Sequence, residues 1–323
     1  MDLRLKLVAV RDLTTDIKRF EFVDARGGEL PPFEAGAHVD FHVGTNLWRS
    51  YSLANSPTET NRYVTGVLYE PNGGGGSKWM HESLREGDLV DARGPLNDFP
   101  LDESAASHLL IAGGIGITPM LAMGYRLRDI GAEFHLHYCT KTPEGTAFMD
   151  EVNDVFAGHI TFHHDGGDPT KGIKLAEVLA EQPQGGHVYI CGPGGLLNAA
   201  REAASHWTDG SVHFELFSSA ASGAAGEVVH QEGDQPFEVE IASSGQVFEI
   251  PADRTILEVL RDNGVDVVYV CEEGWCGTCE CGVVSGEIDH RDEVLTDDEK
   301  DSGTKMQICV SRAKPGSRLV LDL

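Results

Sequence analysis

Basic residues are scarce in this chain: 25 Lys and Arg stand against 52 Asp and Glu, a formal net charge of −27 over 323 residues. A nucleic-acid binder needs a basic footprint, so that class is excluded. A targeting segment is lacking as well. The start, Met1-Asp2-Leu3-Arg4-Leu5-Lys6-Leu7, alternates like a strand and has no apolar h-region, so a cytoplasmic protein is expected. Long apolar runs are also missing. The nearest imitation of a membrane span, Ala105 to Tyr125, contains Gly113-Gly114-Ile115-Gly116 and Pro119. It reads as strand, glycine turn and helix start, with no membrane association expected. There is no internal repeat. Before residue 271 only Cys139 and Cys191 occur, each at the end of an apolar run. Cys271, Cys276, Cys279, Cys281 and Cys309 follow, and in a reducing compartment such a crowd means a metal or cluster site rather than disulfides.

What is present divides into three patterns. The first hundred residues carry short β-type runs at Leu3–Val10, Lys18–Val23, His38–Val43, Arg49–Ala54, Tyr63–Tyr69 and Asp88–Ala92, with one helical stretch near Ser77–Leu84. Such runs predict a small antiparallel barrel over residues 1–102. Apolar strands at His108–Ala112, Phe134–Cys139, His159–Phe162, His187–Cys191 and Val212–Leu216 then alternate with helix-like segments near Thr118–Arg128, Thr146–Phe156, Ile173–Glu181 and Pro193–His206. That alternation predicts an open parallel sheet, placed with its linker over residues 103–226. The linker, Ser218 to Gly226, consists of small residues without periodicity. A hairpin (Phe237–Ile241, Val247–Ile250), a helix (Thr255–Asn263) and the cysteine loop make a third domain over 227–323.

Three constellations carry chemistry. Cys271-x4-Cys276-x2-Cys279, with Cys309 after 29 more residues, has plant-type [2Fe–2S] spacing. Gly274 and Gly277 let the loop curl so that backbone N–H groups approach sulfur. The alternative is a zinc site of four cysteines, but zinc ribbons favour two separated CxxC pairs and here one lone cysteine precedes a single CxxC. Cys281 is expected to be a buried bystander. Arg49-Ser50-Tyr51-Ser52 places an aromatic and hydroxyls beside an arginine, a set able to wall an isoalloxazine and pair with a phosphate. Gly73 to Gly76 followed by Ser77 is an anion nest opening a helix, or simply a turn. Gly113-Gly114-Ile115-Gly116-Ile117-Thr118-Pro119 lies between strand and helix, and Cys191-Gly192-Pro193-Gly194-Gly195 repeats the arrangement. Ligands bind such sheets at the carboxyl ends of strands, which brings both loops to one site. Cys191 alone could equally be a small core residue.

With these residues together, the whole chain resembles the phthalate dioxygenase reductase family, which includes vanillate O-demethylase reductases. The resemblance implies an FMN-binding Greek-key barrel, an NAD-binding domain of ferredoxin-reductase type and a C-terminal β-grasp ferredoxin. Related FAD-containing reductases usually carry the ferredoxin first. It also implies that Arg49, Ser50, Tyr51 and Ser52 contact the flavin, with Ser52 near its N5. Val67, Leu68 and Tyr69 form a second flavin-lining strand, and Gly75, Gly76 and Ser77 hold the FMN phosphate. Gly113, Gly114, Gly116 and Thr118, with Cys191, Gly192 and Pro193, receive the nicotinamide cofactor. Phe217 covers the flavin until nicotinamide displaces it. Relatives often have an arginine where Gly74 stands, so phosphate binding here would rest on backbone N–H groups, Ser77 and Lys78 or Arg49.

The activity so implied is NADH oxidation, passing electrons through FMN and the cluster to a Rieske-type oxygenase component. A plant-type cluster near about −400 mV can drive a Rieske centre at roughly −150 mV or above. A cytochrome P450 or a separate ferredoxin is the alternative acceptor. No oxygen-activating iron motif is found in this chain.

Overall fold

The computed structural model describes residues 1–44, 47–71, 75–216, 233–265, 267, 274, 277, 279–292 and 294–323. They fall into two compact units, Met1–Phe217 and Ser218–Leu323.

The first unit opens with six antiparallel strands: β1 (Asp2–Asp12), β2 (Ile17–Asp24), β3 (His38–Val43), β4 (Leu47–Ser52), β5 (Tyr63–Leu68) and β6 (Leu89–Leu96), in the order β4-β3-β6-β1-β2-β5. Alternation drives the curl. In β3 every second residue, Val39, Phe41 and Val43, is fully buried, and Leu5, Leu7, Phe20, Phe22 and Tyr63 meet them inside. The two ends of the sheet come together just past β4: Leu53 bridges Thr65, and the Ala54 N–H donates to the Val64 carbonyl at 2.8 Å. A short helix, α1 (Gly76–Glu82), lays buried Met80 over the barrel core.

The chain then builds a parallel sheet from β7 (Ser107–Gly113), β8 (Phe134–Thr140), β9 (Ile160–His164), β10 (Gly186–Gly192) and β11 (Val212–Leu216), ordered β11-β10-β7-β8-β9. Helices α2 (Ile117–Ile130) and α3 (Met149–Val155) cover one face; α4 (Leu175–Val178) and α5 (Gly194–Ala203) cover the other. The order reverses between β7 and β10, the switch point where such sheets bind ligands. The apolar stretch Ala105 to Tyr125 resolves into β7, a 3₁₀ turn and the start of α2. Among the described residues no helix is long and apolar enough to cross a membrane.

In the second unit β12 (Phe237–Ile241), β13 (Val247–Ile250), β14 (Glu280–Ser285), β16 (Lys305–Gln307) and β18 (Leu319–Asp322) form a mixed sheet ordered β13-β12-β18-β14-β16. β15 (Ile288–Asp289) pairs with β17 (Arg312–Ala313) beside it. The β12–β18 pair is parallel, and helix α6 (Ile256–Asp262) packs Ile256, Leu257 and Leu260 into the same core, a β-grasp arrangement. A capping box starts α6: Thr255 Oγ1 accepts from the Glu258 N–H while Glu258 accepts from the Thr255 N–H. The short α7 (Asp297–Ser302) opens with the same device at Thr296 and Glu299.

Candidate functional site

Ser52 ends β4 and is buried where the barrel meets the parallel sheet. Its Oγ donates to Glu215 Oε2 at 3.5 Å, and Cys191 Sγ lies 3.7 Å from the same oxygen. Cys191 and Glu215 are register partners on β10 and β11, so their side chains leave the sheet side by side. Three strands from two sheets thus converge on one carboxyl group. Glu215 keeps a sliver of solvent contact, but protein atoms crowd it, and that burial pushes its carboxyl up to about 8 against the hydrogen bonds from Cys191 and Ser52. Burial and the Glu215 charge push the Cys191 thiol well up too, so it is a neutral thiol rather than a nucleophile. The sequence reading did not single out Glu215.

The two glycine loops meet at the carboxyl ends of β7 and β10. A side chain at Gly116 would run into the Cys191 carbonyl, and one at Gly113 would stand 2.7 Å from Pro193 Cδ. Gly113, Gly116, Cys191, Gly192 and Pro193 therefore form one continuous backbone surface that only minimal side chains permit. Gly114 takes φ +55, and the buried Thr118 hydroxyl donates to the Ile115 carbonyl at 3.1 Å, fixing the turn into α2.

Around the barrel mouth, Arg49 and Gly76 are in contact: a Cβ at Gly76 would lie 2.6 Å from Arg49 Cγ. Gly75, at φ +85, turns the chain into α1, and Ser77 Oγ accepts from the Glu70 N–H at 3.0 Å. Arg49 thus lies against the start of α1, and a guanidinium beside backbone N–H groups is a donor set suited to a phosphate. Tyr51 leans on Phe41, and burial pushes its phenol up. Val67 sits in the barrel core and Leu68 packs toward the parallel-sheet side. Ser50 and Tyr69 each have a carboxylate partner. Ser50 is exposed and donates to Asp40 at 2.6 Å, and the Tyr69 hydroxyl donates to Glu82 at 2.7 Å. Gly73, Gly74 and Phe217 lie outside the described residues.

In the second unit Cys279 and Cys309 are buried, with Sγ atoms 3.0 Å apart. Cys271 and Cys276 lie outside the described residues. Gly274 and Gly277 both take φ +77, and a Cβ at Gly274 would be 2.6 Å from Val310 Cγ2, which brings the cysteine loop onto the neighbour of Cys309. Gln307 is fully buried beside this pair. Its Oε1 lies 3.4 Å from Cys279 Sγ, while its Nε2 has no partner among the described residues. A buried amide donor left over next to two thiols fits a sulfur-ligated group that would accept from it. Cys281 is different: its Sγ donates to the Gly282 carbonyl at 3.3 Å, and burial holds its thiol up at about 12.

Residues 239–314 match the model of the 2Fe-2S iron-sulfur cluster binding domain, and residues 4–100 that of the oxidoreductase FAD-binding domain. The phthalate dioxygenase reductase of Burkholderia cepacia is 47% identical over 323 residues, covering 99% of this chain and 97% of that protein. The chain belongs to the phthalate dioxygenase reductase family. Another member, the vanillate O-demethylase oxidoreductase of Pseudomonas sp. (strain HR199 / DSM 7063), is 45% identical over 319 residues, 98% of each chain. A solved phthalate dioxygenase reductase, described as a modular structure for electron transfer from pyridine nucleotides to [2Fe-2S], superposes with a TM-score of 0.72 at 47% identity, over 100% of this chain and 98% of that one. This chain is also similar, at 35% identity and a TM-score of 0.71, to part of an intact type IV self-sufficient cytochrome P450 monooxygenase, covering 41% of it.

Proposed function

We propose that this protein is the cytoplasmic reductase component of a two-component Rieske-type aromatic oxygenase, oxidising NADH and delivering electrons through FMN and a [2Fe–2S] cluster. The observation that carries the first half is the convergence of Ser52, Cys191 and Glu215 where the flavin-type barrel meets the dinucleotide loops. FMN bound at the barrel would accept hydride from NADH, and the cluster would pass the electrons on singly. The protein's part is placement. Arg49, Gly75, Gly76 and Ser77 would hold the phosphate end, and Ser50 through its backbone, with Tyr51, Val67, Leu68 and Tyr69, would border the flavin. The loops of Gly113, Gly114, Gly116 and Thr118 and of Cys191, Gly192 and Pro193 would seat the nicotinamide cofactor.

Ser52 and the protonated Glu215 would supply neutral hydrogen-bonding groups to the flavin, and Cys191 would border the nicotinamide site. Phe217 would cover the flavin before NADH arrives. Cys271, Cys276, Cys279 and Cys309 would ligate the cluster, with Cys281 left as a thiol.

FMN rather than FAD is expected because the glycine turn runs directly into α1 and β6, with no later segment resembling the adenine-binding stretch of FAD relatives. Heat release and chromatography of the flavin, followed by anaerobic NADH addition, test the reading. The expected result is stoichiometric FMN and bleaching of both chromophores; stoichiometric FAD, or no bleaching, refutes it. The likeness to the P450 monooxygenase supports a P450 as the second acceptor class. Comparing reduction of a Rieske oxygenase with that of a P450 separates the two.

A further inference from the structure

Glycine in the middle of an apolar strand marks a close approach. In β5 that glycine is Gly66, where a Cβ would lie 2.6 Å from Phe148 Cε2 and 2.9 Å from Ile115 Cδ1. Phe148 is itself unusual. It takes φ +56 and ψ +32, the one non-glycine positive φ among the described residues, with its ring 1% exposed. A bulky side chain enters that region only when its surroundings over-determine it. Here the Phe148 carbonyl accepts from the Val152 N–H at 2.8 Å to open α3. One turn on, Glu151 Oε1 lies 3.2 Å from Nε of the buried Arg19, the register partner of Gly66 on β2. Ring and carboxylate therefore dock α3 on a single cross-strand pair of the barrel.

Ile115 sits in the turn between β7 and α2, inside the nicotinamide loop, and Gly66 immediately precedes the flavin-lining Val67 and Leu68. We propose that Phe148 is a positioning residue for the NADH-to-flavin step: its ring is the wedge that sets Ile115, and with it the Gly113–Thr118 loop, against the flavin-lining strand. This rests on the functional reading above. In the ordinary helical region the ring would leave the Gly66 notch, so the strained backbone and the wedge position belong together. Hydride transfer requires reacting atoms about 3–3.5 Å apart, and a displacement of about 1 Å can slow a reaction by ~10²-fold.

The test uses full-length protein carrying flavin and cluster, with Phe148→Gly, Phe148→Ala and Gly66→Ala. Anaerobic stopped flow measures flavin reduction at saturating NADH and the long-wavelength absorbance of the nicotinamide–flavin complex. Photoreduction measures flavin-to-cluster transfer without nicotinamide. Phe148→Gly and Phe148→Ala should keep bound flavin and unchanged flavin-to-cluster transfer. Both should slow reduction about tenfold or more and weaken the long-wavelength band. Glycine adopts a positive φ freely, so Phe148→Gly should melt higher than Phe148→Ala yet reduce no faster. Gly66→Ala, whose Cβ would strike both the Phe148 ring and Ile115, should slow the step alone, and by a smaller factor in the Phe148→Ala background. A Phe148→Gly protein reduced within about twofold of the wild-type rate overturns the proposal. If neither Phe148 variant folds, Phe148→Leu, which keeps an apolar core side chain without the ring, decides it by the same threshold. Wild-type protein that NADH does not reduce would overturn the functional reading instead.

Discussion

Glu215 and the cysteines concentrate the chemistry at single residues. The Glu215 carboxyl is pushed up to about 8 by burial, so it is neutral at pH 7 and becomes anionic above pH 8. On the proposed reading a negative charge there would stand beside the ring that takes up hydride, so flavin reduction by NADH should slow as pH rises past about 8. Glu215→Gln keeps the shape without the ionisation and should flatten that limb of the stopped-flow pH profile. Persistence of the limb in the variant would acquit Glu215. The stability sign follows from the same shift. Between the ordinary value of 4.5 and about 8 the folded state holds a proton that the unfolded state has lost, so stability falls as pH rises through that window. Melting at about pH 5 and pH 8.5 should show Glu215→Gln gaining on wild type. For the cluster, Cys309→Ser should abolish the rhombic EPR signal of the reduced protein and Cys281→Ser should preserve it. The Cys281 thiol, held at about 12, is engaged with the Gly282 carbonyl. The opposite outcome would move the fourth ligand.

At the scale of elements, cofactor choice is set just past β8. Selecting a 2′-phosphate normally takes an arginine fork near the ribose. Here the Thr140 hydroxyl is engaged with Thr146 and His164, each at 2.9 Å, and Lys141 is the single cation before Asp150. NADH should be preferred over NADPH in kcat/KM, and a preference for NADPH would refute the assignment. The same region marks how far the sequence could be read. Glycine loops, strand alternation and the helix beginning at Thr255 were legible because each is a local signal. Helix starts and lengths near the site were not. The segment Thr146–Phe156 reads as one helix, yet α3 begins only at Met149, because Thr146 bonds back to Thr140 and Phe148 turns left-handed onto Gly66. Ile173–Glu181 likewise shortens to Leu175–Val178, since its short apolar face is complete at Leu179. Glu215 was missed for a related reason. In His213-Phe214-Glu215 an alternating polar residue looks solvent-facing, and only the barrel packed against β11 makes it a half-buried partner of Ser52.

At the scale of the whole molecule, charge is partitioned. From Glu227 to Leu323 there are 22 Asp and Glu against 8 Lys and Arg, a balance of 8 − 22 = −14. Most of those cations are engaged internally: Arg291 and Arg312 with Asp234, Arg254 with Asp262, Arg318 with Glu238 and Glu240. Lys305 bridges Glu280 and Glu299 at 3.3 and 2.8 Å, which blunts the Glu280 charge beside Cys279. On the proposed ligand set, the steering charge would then fall to Glu272 and Glu273, which lie between Cys271 and Cys276 in sequence, backed by the acidic excess of the whole unit. A basic face on the oxygenase would be drawn toward it, and screening that shortens from ~10 Å at 0.1 M salt to ~3 Å at 1 M should remove the advantage. The second-order rate of Rieske-centre reduction should fall across that range and drop with Glu272→Lys or Glu273→Lys. NADH-to-cluster transfer within the chain should change little, since it needs no encounter. A bimolecular rate that stays flat with salt, with both lysine variants silent, would leave the acid as a solubility device and end the docking argument.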